Sequence, residues 1–255
     1  MRHTALLVIL ALTAGALLPA CITRQQAEKA LGHQKMAMVH FDQGQIPDAV
    51  AKLQESIKLN PHHPEAHHLL GNCFFALERY DDAHKEYAIA TRLEPSFPDC
   101  WVNWGALMLA EERWEDSLEK FDKAIDDPTY REAGRALHNK GWALYQLGRF
   151  EEARECNEKV LEVTPLFCPS LHNQGMVAEA EGKLDEAEDL YQRALSCNGR
   201  DLKTWMALAR LYIRLDRLQD AMDYLDFVIA HDEGGSLGKE AEGLLQELQD
   251  GRSGA

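Results

Sequence analysis

Residues 101–128 read WVNWGALMLAEERWEDSLEKFDKAIDDP. Trp101, Trp104 and Met108 recur at steps of three and four, as do Trp114, Ser117, Phe121 and Ala124, so the stretch predicts two amphipathic helices joined by a polar turn and closed by a proline. The arrangement recurs along the chain. A small residue matching Gly105 stands at Ala37, Gly71, Gly141, Gly175 and Ala209, and one matching Ser117 at Ala49, Ala83, Ala153, Ala187 and Ala221. Every interval is 34 residues except one of 36 between the third and fourth copies. Two registers that agree at six sites make the chain an array of helix pairs, each burying its apolar face on its neighbours.

A period of 34 with these landmarks resembles the tetratricopeptide repeat family from about residue 30 to 235. The fourth copy shows the pattern well, with Leu137, Gly141, Leu144, Gly148, Phe150, Ala153, Val160 and Pro165. Small residues at the two marked sites let paired helices approach closely, because the side chains at the contact set the interaxial distance. Asn60-Pro61, Glu94-Pro95, Asp127-Pro128 and Thr164-Pro165 end second helices, since proline lacks an amide donor and clashes with the preceding turn. The resemblance implies an all-α, right-handed solenoid of six helix pairs, at about 30–63, 64–97, 98–133, 134–167, 168–201 and 202–235. A capping helix over 236–249 follows, with Leu244, Leu245 and Leu248 on one stripe and Ser236 at its start, and then a flexible tail at 250–255.

At the other end, Arg2 precedes an uncharged apolar run from Ala5 to Leu18, which is followed by Pro19-Ala20-Cys21 and a polar sequence. This is the layout of a secretory signal removed after residue 20. As a helix the run would reach only about 21 Å, short of a hydrocarbon core of about 30 Å. Leu18-Pro19-Ala20-Cys21 resembles the bacterial lipobox, which implies that Cys21 becomes an acylated N-terminus. Three acyl chains would hold the protein on a bilayer without other contact, at about 0.8 kcal/mol per buried methylene. Residues 22–29 are too few and too helix-friendly for a long leash, so they form a short tether. Removing residues 1–20 takes away one cation, Arg2, and moves the net charge from −15 to −16. Such a surface repels nucleic acid and anionic lipid, so membrane attachment falls to the lipid. Ile22 after the cysteine, where aspartate would favour inner-membrane retention, points to the periplasmic face of the outer membrane of a Gram-negative bacterium.

Several spellings imitate chemistry. Gly234-Gly235-Ser236-Leu237-Gly238 matches a nucleophile elbow, but no strand precedes it and the last histidine, His231, comes before it rather than after. His62, His63, His67 and His68 invite a metal reading, yet in repeat register His67 takes the packing position of Trp101 and Trp205. No metal, cofactor, small-molecule substrate or catalytic residue is therefore expected. Cys73, Cys100, Cys156, Cys168 and Cys197 are expected as buried free thiols; Cys168 and Cys197 open and close the helices of one unit, and sequence does not supply the geometry that would decide a bridge.

The resemblance implies a concave face, built by the first helix of each unit, that binds peptides through its second, fifth, sixth, ninth and twelfth positions. The sixth is asparagine in three consecutive units, Asn103, Asn139 and Asn173. An amide offers donor and acceptor together, as an extended peptide backbone requires, although asparagine also occurs there without a ligand. Met38, Phe41, Phe75, Val102, Leu109, Trp142, Tyr145 and Met176 add an apolar stripe that the core does not need. His68, His138 and His172 stand at fifth positions where a carboxylate clamp would use lysine, so capture of a C-terminal carboxylate is not expected.

The two-residue expansion reads Asp127-Pro128-Thr129-Tyr130-Arg131-Glu132 and is followed by Arg135-Ala136-Leu137, Asn139 and Gly141. It resembles the corresponding segment of type IV pilus pilotins, six-unit tetratricopeptide lipoproteins. That resemblance implies a non-enzymatic factor that binds the pilus secretin, brings it to the outer membrane and promotes its multimerisation. A lipoprotein scaffold for cell-wall hydrolases or periplasmic proteases remains the alternative.

Overall fold

A computed structural model describes residues 22–253. The expected signal segment, the expected acylation site Cys21 and residues 254–255 lie outside the described residues. What is described is all-helical: α1 (Arg24–Asp42), α2 (Ile46–Leu59), α3 (Pro64–Ala76), α4 (Tyr80–Leu93), α5 (Pro98–Ala110), α6 (Trp114–Ile125), α7 (Ala133–Gln146), α8 (Phe150–Val163), α9 (Cys168–Ala180), α10 (Leu184–Cys197), α11 (Leu202–Arg214), α12 (Leu218–His231) and α13 (Ser236–Ser253).

Local sequence sets the ends. Thr23 and Gln26 form a capping box: Gln26 N donates to Thr23 Oγ1 at 3.2 Å and Thr23 N donates to Gln26 Oε1 at 3.0 Å. The tether is thereby mostly the first turns of α1. Pro64 and Pro98 open α3 and α5 at their first residue, where a missing N–H costs nothing. α2, α4 and α8 end immediately before Asn60, Glu94 and Thr164, each of which precedes its proline. Between the helices of each pair one residue turns left-handed: Gly44, Glu78, Glu112, Gly148, Gly182 and Asp216, all with φ between +57° and +78°.

Pairs pack through the marked small residues. A Cβ on Gly71, Gly105 or Gly175 would lie 2.5–2.6 Å from the ring of Tyr87, Phe121 or Tyr191, sixteen residues on, so each ring packs directly against a bare backbone. Where the small residue is Ala37 or Ala209, the matching position holds Leu53 or Leu225, which are shorter and fully buried. Successive units then stack through their first helices: α1 packs on α3, α3 on α5, and so on to α11 with α13, whereas the backbones of the second helices stay further apart and meet through long side chains such as Arg154 of α8, whose Nη1 lies 2.7 Å from Glu186 Oε1 of α10. The first helices thus line the inner, concave wall of a solenoid. Leu237, Leu244, Leu245 and Leu248 of α13 pack on Met206, Ala209, Leu225 and Val228, closing the last pair.

The structure departs from the sequence reading at three places. Cys168 and Cys197 are bridged, with Cα atoms 5.7 Å apart, while Cys73, Cys100 and Cys156 are buried free thiols; the start of α9 and the end of α10 meet at one edge of the unit, which the linear sequence does not disclose. Ser236 is the first residue of α13 rather than its cap; the Asp232 carboxylate accepts from Gly238 N at 2.9 Å instead. The backbone of α13 also stays helical to Ser253, past the expected end at Gln249, because each residue added to a formed helix gains a hydrogen bond.

Candidate functional site

Two clefts open on the concave wall. The first, about 440 Å³, is lined by Phe41, Asn72, Phe75, Ala76, Asn103 and Ala106, from α1, α3 and α5. The second is a trough across α7, α9 and α11 with two lobes of about 620 and 500 Å³ that share Trp142, His172 and Lys203. Its upper lobe adds His138, Asn139 and Asn173; its lower lobe adds Tyr145, Met176 and Arg210. Trp142 and Tyr145, one turn apart on α7, stack with centroids 5.7 Å apart at 17°. Of the remaining stripe residues, Met38 is exposed on α1, Leu109 packs against the core, and Val102 is buried. Neither Met38 nor Leu109 lines a cleft.

The three asparagines differ in what their amides do. Asn103 Nδ2 donates to His68 Nε2 at 2.9 Å and to Asn72 Oδ1 at 3.1 Å. Asn173 Nδ2 donates to His138 Nδ1 at 3.3 Å. In both cases a sixth-position amide holds the fifth-position histidine of the preceding unit, thirty-five residues back. Asn139 has no such partner, since the fifth position of the preceding unit is the buried Val102. Among the described residues its amide makes no hydrogen bond, and it faces the upper lobe. A half-buried amide with donors and acceptor unspent is primed for a backbone peptide group.

Electrostatics follow from burial. Desolvation by the surrounding helices pushes His68 and His138 down to about 4 and lowers His172 in the same direction. All three are neutral at pH 7, and each spends a ring nitrogen on a neighbouring unit; His172 Nδ1 donates to Thr204 Oγ1 at 2.8 Å. The trough's positive charge comes instead from α11. Arg210 and Arg214 are paired with Glu240 and Glu179, whereas Lys203 is exposed and forms no ion pair among the described residues. Sequence reading assigned no role to Lys203, although it occupies a second position of the repeat, the signal that would have found it. His67 donates from Nε2 to Pro61 O at 3.1 Å, as the indole N–H groups of Trp101 and Trp205 donate to Pro95 O and Gly199 O at 2.9 Å, and its Nδ1 lies 2.6 Å from Glu86 Oε2. The histidine thus ties the turn before α3 to α4.

A solenoid with an amide, stacked rings and an unpaired cation on its inner wall is an interaction scaffold by construction. The chain belongs to the tetratricopeptide repeat family: family models of that description match residues 35–98, 100–165 and 178–241. Such proteins are typically non-enzymatic scaffolds, and no catalytic family is indicated. The TPR repeat-containing protein YpiA of Bacillus subtilis is 25% identical over 219 residues, covering 84% of this chain and 51% of YpiA, so the chain spans about half of that relative. The type IV pilus assembly protein PilF of Pseudomonas aeruginosa is 22% identical over 188 residues, 70% of this chain and 72% of PilF. Among solved structures, that of P. aeruginosa PilF superposes with a TM-score of 0.74 at 18% identity, over 86% of this chain and 99% of the other. PilW, a widely conserved type IV pilus biogenesis factor, gives 0.77 at 21%, over 83% and 97%. These likenesses establish the shared solenoid.

Proposed function

We propose that this protein is a pilotin: a lipid-anchored scaffold that grips an extended segment of the type IV pilus secretin in the α7–α9–α11 trough and supports its multimerisation at the outer membrane. The observation that carries the binding reading is Asn139, an amide left without an internal partner beside the stacked Trp142 and Tyr145. An extended chain lying there pairs its peptide group with the amide and rests side chains on the rings. The pilus assignment is supported by the distant similarity to PilF and PilW and by the Asp127–Glu132 segment. The proposal includes acylation at Cys21, which confines scaffold and secretin to one surface and raises their effective concentration. Among the described residues no helix is long and apolar enough to cross a membrane.

Deleting the gene is expected to leave secretin monomers present but remove the heat-resistant multimer on semi-denaturing electrophoresis, with pili and pilus-driven motility lost. Cys21→Ala is expected to weaken the same step. Trp142→Ala removes a contact ring without emptying the core and should cost about 2 kcal/mol in secretin binding, roughly thirtyfold, at unchanged helicity. A full-strength multimer band in the deletion strain, with altered envelope shape instead, retires the pilotin reading in favour of a cell-wall scaffold.

A further inference from the structure

Val163 and Leu166, at the turn between α8 and α9, are the most exposed large apolar side chains among the described residues, at 85% and 69% of full exposure. Beside them lies a cleft of about 510 Å³, separate from the concave trough, walled by Leu137, Val160, Val163 and Phe167 and rimmed by Arg131, Arg135 and Lys159. Phe167 and His138 meet edge to face with centroids 5.5 Å apart and form the partition, since His138 faces the trough and Phe167 the cleft. The two-residue expansion opens this space: it sets back the start of α7, whose first residues Ala133 and Gly134 are short, and a Cβ on Gly134 would meet only Val160 Cγ1 at 3.9 Å.

The charge here runs against the rest of the molecule. On a chain of net charge −15, three cations and a single carboxylate, Glu132, line one apolar cleft, which leaves it locally positive. Arg135 is held by Asp99 at 3.0 Å, but Arg131 and Lys159 have no ion pair among the described residues. The N-terminus of α7 opens on the same rim; its N-cap residue Glu132 makes no side-chain cap bond but sets a carboxylate beside the helix's positive end, so the attraction for carboxylates rests on Arg131 and Lys159. We propose that the cleft docks a protein segment in which acidic residues flank an aliphatic or aromatic side chain. The apolar side chain fills the space between Leu137, Val160 and Val163, and the flanking carboxylates meet Arg131 and Lys159. A ridge-like peptide suits a concave, walled site, whereas a flat anionic bilayer would meet the repulsion of the whole acidic chain.

The test is selection from a displayed library of random twelve-residue peptides on the purified full chain. Enriched sequences should be acid-flanked and apolar at the centre, and their binding should weaken as sodium chloride is raised. Val163→Asp should weaken a selected peptide at least tenfold and Lys159→Glu about fivefold, both positions being exposed so that folding is preserved. Trp142→Ala should leave this binding unchanged. Neutral or basic winners, or a library that yields nothing dependent on Val163, overturn the proposal. So does loss on Trp142→Ala alone, which would move the ligand to the trough, and so does displacement of the selected peptides by phosphatidylglycerol vesicles, which would assign the cleft to lipid.

Discussion

Gly105 and Phe121 are expected to behave as one unit of information, and a double-mutant cycle measures it. A methyl group on Gly105 would sit 2.5 Å from Phe121 Cε1 and 2.8 Å from Cζ. Carbon atoms rest at about 3.5–4.0 Å, so the fully buried ring has to retreat by about 1 Å into packed neighbours. Overpacking of that kind costs about 1–3 kcal/mol, and alanine's helix propensity returns about 1, leaving Gly105→Ala destabilised by about 0–2 kcal/mol. Phe121→Leu alone leaves a partial cavity costing about 1–2 kcal/mol. Together the substitutions recreate the Ala37–Leu53 and Ala209–Leu225 pairs of the first and last units, so the double variant should lose no more than about 1 kcal/mol. The coupling is therefore about 1–2 kcal/mol in favour of the double variant. Repeat arrays unfold by parts, so the readout is native-state hydrogen exchange of α5 and α6 amides. Additive losses would refute the idea that ring and glycine specify each other.

Acid should unfold the array earlier than its carboxylates alone explain. His68 and His138 titrate near 4 when folded and near 6.5 when unfolded, so the unfolded chain binds more protons between those values; stability is full above about pH 6.5 and falls towards pH 4, by up to about 3 kcal/mol per histidine. Glu55, Asp82, Glu152 and Glu181, held down chiefly by hydrogen bonds from neighbouring basic side chains, lose their contribution as pH falls through and below 4.5, so His68→Gln should flatten the slope of urea midpoint against pH between about 6.5 and 4.5. Reducing the Cys168–Cys197 bridge, which spans 29 residues, should cost about 3 kcal/mol by freeing the unfolded chain, read as a lower urea midpoint for the Cys168→Ser, Cys197→Ser variant. Glu112→Gly should stabilise by about 0.5–1 kcal/mol, because a glutamate at φ +58° occupies a left-handed site where other units use glycine; an unchanged or lower melting temperature would count against it.

The fold was legible because its determinants are local and periodic. Gly71, Gly105 and Gly175 recur at fixed intervals, and Pro61, Pro95 and Pro165 mark helix ends that the structure reproduces. The aromatic partners at Tyr87, Phe121 and Tyr191 keep the same register, so even the packing inside a pair was encoded in spacing. The Cys168–Cys197 bridge was not legible, because it depends on the distance between two loop-side ends rather than on period. The Asp232 cap on α13 was equally hidden, since a glycine-rich turn leaves the choice between Ser236 and Asp232 to backbone geometry.

The site was legible in position but not in state. Asn103, Asn139 and Asn173 share one register, and sequence alone treats them as equivalent amides. What separates them is a relation between units: a fifth-position histidine in one copy occupies the sixth-position amide of the next. That relation has a thirty-five-residue offset and is visible in the sequence once known, as His68 with Asn103 and His138 with Asn173. It fails once, where Val102 precedes Asn139 and gives it nothing to bind. A buried aliphatic side chain in one unit thus releases an amide in the next. The break falls beside Trp142 and Tyr145, where the trough is open, and next to the expansion that parts α6 from α7. Departures from the repeat therefore gather around the fourth unit, and they mark the region on which both proposed binding surfaces depend.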